Sequence, residues 1–135
     1  MGSAQLLYIT LGVIIVGLAI VVGMDMFQGY MQENNREQLI SHCLTILSKA
    51  EEYYKKPTDL GGGGGSYKGF EVPEDLTRNE LGRFNITLAS GRDRVNINAR
   101  GDVDGYDGDN PVRVIARITR NNRNPNGEMQ ILIRN

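Results

Sequence analysis

Residues 6–24 read LLYITLGVIIVGLAIVVGM, and no charged side chain occurs before Asp25. The run is interrupted only by Tyr8, Thr10 and three glycines, so it is apolar all round rather than on one face. Met1 to Met24, wound as an α-helix, would extend about 36 Å, against a hydrocarbon core of about 30 Å. Residues 1–24 therefore read as a rod long enough to span a membrane. A cleaved secretory signal carries Lys or Arg ahead of its apolar run and a small-residue cleavage site behind it. Neither flank fits here, and the rod is expected to stay on the protein. Gly12, Gly17 and Gly23 are spaced five and six apart, not in the close-packing GxxxG pattern. Each costs a helix interior about 1 kcal/mol relative to alanine. They read either as ordinary glycine use in a membrane helix or as points where the rod bends or partly unwinds.

Residues 25–57 continue the helix with a different pattern. After Gly29 there is no glycine, and no proline until Pro57, while Leu39, Cys43, Ile46, Leu47, Ala50 and Tyr54 recur at helical spacing. Glu37, Ser41, Ser48, Glu52 and Lys55 fall on the other side, so this half is amphipathic and can pack on a sheet. Pro57 stops it. Residues 58–69 form a crossover that contains the run Gly61–Gly65. A phosphate-cradling loop needs Gly-Lys-Ser/Thr at its end and a preceding strand, and this run has neither. Its glycines allow the backbone to lie flat against a neighbouring surface.

Over residues 70–135 the apolar period drops to two. Phe84, Ile86 and Leu88 alternate with polar neighbours, as do Val95, Ile97 and Ala99, then Val112 to Ile118, then Met129, Ile131 and Ile133. Turns are expected over Ser90–Asp93 and Asn121–Gly127, with a longer loop over Gly101–Pro111. The expected fold class is α+β: one long N-terminal helix, apolar and then amphipathic, packed on a four-stranded antiparallel β-meander.

The 135 residues carry a formal net charge of −1, and 40% are hydrophobic, with 17 of the apolar residues crowded into Met1–Met24. From Thr58 onward 11 Lys/Arg stand against 11 Asp/Glu, so bulk charge gives no footprint for nucleic acid. The single cysteine, Cys43, excludes any disulfide within the chain.

A charge-free apolar rod, continuous with an amphipathic helix and followed by a small antiparallel sheet, resembles the type IV pilin family, which includes the pseudopilins. The architecture is similar over the whole chain. At motif level, MGSAQLLYITLGVIIVGLAIVVG over 1–23 is similar to the start of a mature pilin, and KAEEYYKKP over 49–57 to the end of its long helix. Met1 would replace the usual N-methylated aromatic residue, and Gly23 lies beside the usual helix-kinking proline. The family's fifth residue is usually a glutamate thought to neutralise the terminal amine of an adjacent subunit, whereas this chain has Gln5. Glutamine accepts a hydrogen bond from an ammonium group but brings no charge. A frame starting after Gly2 would put Leu7 at that position and needs a basic leader, so Met1 is taken as the mature start. The family's C-terminal disulfide is also missing.

The resemblance implies a structural subunit of a pilus-like extracellular filament, held in the inner membrane before assembly and then bundled by its rods. Met1, Gln5, Gly12, Val16, Gly17 and Gly23 would carry assembly. The implied partners are copies of the same chain and the pilus assembly machinery, with no nucleic acid. A pseudopilin or minor pilin is the alternative within the family. A monomeric membrane-anchored calcium-binding domain is the alternative outside it.

Three smaller features carry candidate chemistry. Residues 101–110, GDVDGYDGDN, place carboxylates at Asp102, Asp104, Asp107 and Asp109. An Asp-x-Asp start can supply oxygens to calcium, but Tyr106 and Arg113 stand where an EF-hand wants an oxygen ligand and Glu, so a solvated turn is the competing reading. Asn85-Ile86-Thr87 is a glycosylation sequon on an outward strand face. His42 beside Cys43 could form a thiol catalyst, yet helix neighbours point in different directions and no third group follows. Helix packing is expected there, Tyr53 and Tyr54 are expected in the core or an interface, and no enzyme is expected.

Overall fold

The computed structural model of the chain describes residues 2–88, 94–105, 108, 110–121 and 124–134. Helix α1 spans Gly2–Lys55 and runs unbroken through Gly12, Gly17, Gly23 and Gly29. The chain forms two compact units, Met1–Met31 and Gln32–Asn135, and the division falls within α1. In the first unit every described side chain is exposed, from Leu6 at 66% to Phe27 at 64%. The backbone bonds of a helix are internal, which is why such a segment tolerates an apolar surrounding.

In the second unit α1 buries Leu39, Cys43, Ile46, Leu47 and Ala50 completely, and Glu37, Ser41, Ser48, Glu52 and Lys55 are exposed. The 3.6-residue period thus faces the sheet as the sequence predicts, with Tyr54 half-buried at the margin. A short helix α2, Glu74–Thr77, precedes the sheet. Its strands are β1 (Arg78–Asn79), β2 (Gly82–Leu88), β3 (Arg94–Asp104), β4 (Pro111–Asn121) and β5 (Asn124–Arg134), each antiparallel to the next in chain order. The sheet is the expected meander with one strand more. Two residues are too few to show a period of two, so β1 is set by its pairing with β2 and not by its own pattern.

Directly opposed residues form the core rows: Phe84, Ala99 and Val114 in one, Ile86, Ile97 and Ala116 in the next. Two connections are shorter than the sequence predicts. Strand β3 continues to Asp104 through a register shift after Arg100, so it takes up the first part of the expected Gly101–Pro111 loop. The expected Asn121–Gly127 connection is taken up by β4 and β5 up to Asn121 and from Asn124, with another shift between Thr119 and Asn121. A bulge adds a residue to one strand and breaks the alternation that marks it in sequence. The Ser90–Asp93 turn lies outside the described residues.

The glycine run closes the end of α1. The N–H groups of Gly63, Gly64 and Gly65 donate to the carbonyls of Tyr53, Lys56 and Tyr54 at 2.7, 3.0 and 2.9 Å. A helix leaves its last carbonyls without partners, and this loop supplies them. Side chains are excluded: a Cβ at Gly63 would stand 1.8 Å from the Ser66 carbonyl oxygen, and Gly64 and Gly65 hold φ of +55° and +89°.

Candidate functional site

The rod is the first candidate surface. Gln5, Gly12, Val16, Gly17 and Gly23 all lie in α1 and are exposed, with Val16 at 59%. Met1 lies outside the described residues. A Cβ at Gly12, Gly17 or Gly23 would meet nothing within 4 Å, so no fold contact requires those glycines. The helix is long and apolar enough to cross a membrane, and its apolar window is 0% buried by the rest of the chain.

The acidic loop is only partly in view. Asp102 and Asp104 are exposed at the end of β3, while Asp107 and Asp109 lie outside the described residues. The Gly105 N–H donates to the Asn110 carbonyl and closes the loop. Among the described residues no three His, Cys, Asp or Glu side chains converge as metal ligands. Asn85 is exposed and opposite Asn98, on the sheet face turned away from the core.

His42 and Cys43 point to different neighbours. His42 Nε2 lies 3.0 Å from the Leu76 carbonyl and 3.3 Å from Asn79 Nδ2, and its ring packs on Phe84 at 4.4 Å. The Cys43 side chain is fully buried, and burial pushes its thiol up to about 12, away from the thiolate a nucleophile requires.

A buried polar cluster was not legible in the sequence. The Arg120 Nε–H donates to Tyr67 Oη at 2.9 Å, its NH2 group to Glu51 Oε1 at 3.1 Å, and its guanidinium lies 4.1 Å over the Tyr54 ring. Tyr54 and Tyr67 stack at 4.9 Å. Burial pushes the Tyr67 phenol up against the downward pull of Arg120. Burial pulls the Arg120 guanidinium down, but Tyr67 and Glu51 outweigh it and the net direction is upward. The cluster ties the end of α1, the loop after the glycines and β4 together. Position 120 falls on the inward period of β4, beyond Ile118, and an arginine at an inward position was the available signal.

The outward face holds a second arrangement that the sequence left dispersed. Strand register brings Arg78, Arg83, Arg100, Arg113 and Arg134 into successive opposed pairs across all five strands. In a meander the starts of β2 and β4 lie at the same end of the sheet as the later parts of β3 and β5, which is the signal that could have found it.

Compared with protein-family models, curated proteins and solved structures, the chain has no match.

Proposed function

We propose that this chain is a structural subunit of a type IV pilus-like extracellular filament, anchored in the inner membrane by its rod before assembly. The observation that carries the reading is the exposure of the whole apolar stretch from Leu6 to Met24, which no other part of the chain covers. Apolar surface is worth about 25 cal/mol per Å² removed from water, so so large an uncovered area calls for lipid or for copies of itself. Strand β5 adds a second uncovered surface. It is a sheet edge of 11 residues on which Met129, Ile131, Leu132 and Ile133 remain 36–49% exposed. Long apolar edges favour pairing with another chain, which weighs toward assembly over a solitary membrane-anchored domain. Gln5 in place of the family's glutamate keeps a minor pilin or pseudopilin as the alternative within the same reading.

Electron microscopy of material sheared from expressing cells tests the proposal, with Val16→Asp as the control. Filaments that contain the unaltered chain are expected, and their loss in Val16→Asp, since a charge in mid-rod costs several kcal/mol in lipid or in a dry bundle. Chain found only in the membrane fraction, or filaments at full yield from Val16→Asp, would overturn it.

A further inference from the structure

We infer that the outward face of the sheet is a binding site for a linear acidic polysaccharide, seated on the row of five arginines that crosses every strand. Arg78 stands opposite Arg83, Arg83 opposite Arg100, Arg100 opposite Arg113, and Arg113 opposite Arg134. Directly opposed residues share a sheet face. The residues adjacent in sequence, Phe84, Ala99 and Val114, are buried in the core, so the arginines project from the other side. All five are exposed. With strands about 4.8 Å apart, the row is a line of charge about 19 Å long.

Like charges directly opposed across strands are destabilising, and here the opposition recurs four times. The ion pairs among the described residues use Arg36, Lys55 and Arg120, and none uses a member of this row. An external anion supplies the compensation that the fold does not. Asp102 and Asp104 line a cleft with Arg83 and Arg100, the second and third arginines of the row, but among the described residues neither carboxylate forms an ion pair with them.

The chemistry of the face selects the class of anion. Of the 11 cations from Thr58 onward ten are arginine, whose planar fork matches a carboxylate bidentately. Beside the row, Asn85 opposes Asn98, supplying amides that hydrogen-bond hydroxyls, and Ile115 opposes Leu132, supplying apolar area for the C–H face of a sugar ring. A polyuronate carries one carboxylate per ring, a sparse charge that suits cations one strand apart. Duplex DNA carries a charge every 1.7 Å or so of axis, and single strands are held by aromatic platforms. No outward-facing aromatic occurs on the described strands. The inference stands on the sheet face and does not depend on filament assembly.

The test is binding of the full chain, in a neutral detergent, to immobilised polygalacturonate, with neutral dextran and oligothymidylate as comparison surfaces. Retention on polygalacturonate that weakens with salt is expected, with none on dextran and less on oligothymidylate. Arg100→Gln with Arg113→Gln is expected to weaken binding on the order of a hundredfold, from the loss of two charge-assisted contacts. Arg100→Lys with Arg113→Lys should fall between, keeping charge but losing the fork. Removing two cations elsewhere, Lys49→Gln with Lys68→Gln, should leave binding within about twofold, and the Arg→Gln pair should melt no lower than the unaltered chain. No binding to polygalacturonate at low salt, an equal loss in the lysine variant, or tighter binding to oligothymidylate would overturn the inference.

Discussion

Arg120 shows how much one buried side chain can hold. It satisfies Tyr67, which is fully buried, and pairs with Glu51, whose side chain is still 28% accessible. Removing one partner of a buried pair costs about 3–5 kcal/mol, and Glu51 can recover some of that from water. Arg120→Met should therefore destabilise the second unit by about 2–4 kcal/mol in denaturant unfolding followed by near-ultraviolet dichroism, and Tyr67→Phe by about 1 kcal/mol. Cys43 makes a pH-dependent contribution. Its thiol, ordinarily at 9.0, is raised to about 12 in the folded chain. Below pH 9 both states hold the proton and the contribution is fully present. Between pH 9 and about 12 only the unfolded chain releases it, so stability falls by about 1.4 kcal/mol per pH unit. The raised Tyr67 phenol acts in the same direction at higher pH. In Cys43→Ala the thiol's share of the alkaline slope should vanish, which unfolding series at pH 7 to 11 would detect. An unchanged slope would mean that the thiol ionises in the folded state.

At the scale of elements, the end of α1 depends on a loop that only glycine can make. Two glycines separate steric exclusion from backbone preference. At Gly63 a new Cβ would overlap the Ser66 carbonyl, and the loop must move and surrender its bond to Tyr53. At Gly65 there is open space, and only the positive φ resists a side chain. Gly63→Ala is expected to cost more than about 2 kcal/mol, and Gly65→Ala about 1 kcal/mol. Equal costs in thermal unfolding would show that the loop relaxes freely. The sequence alone allows a backbone that lies flat on a neighbour here. Its role as a helix cap followed only from which carbonyls the run reaches.

For the whole molecule, the question is what covers the rod. The filament reading predicts that apolar packing and not a fifth-residue charge holds the assembly, because Gln5 brings none. A carboxylate introduced there would be desolvated at a cost of several kcal/mol unless an ammonium lies within about 4 Å. Gln5→Glu is therefore expected to give filament yields no higher than the unaltered chain at equal expression, measured on sheared fractions. A large rise would mean that assembly is limited by the missing charge, as in an inefficient minor subunit.

Periodicity alone determined the long helix, its apolar and amphipathic halves, the buried face from Leu39 to Ala50, and the meander. Each of these is a pattern of side-chain transfer from water repeated along one segment, and so it is written locally. The short strand β1, the extension of β3 past Arg100 and the reach of β4 and β5 into an expected turn were decided by pairing, because hydrogen bonds to a neighbouring strand override a local turn preference. Arg120 could be placed on an inward position from the sequence, but its partners Glu51, Tyr54 and Tyr67 lie 53–69 residues away and meet it only when α1 lies on the sheet. The five arginines make the same point on the outside. Alternation fixes that each points outward, but charges dispersed along 57 residues of chain become one line only through register, since opposition across strands is a property of the pairing and not of any strand.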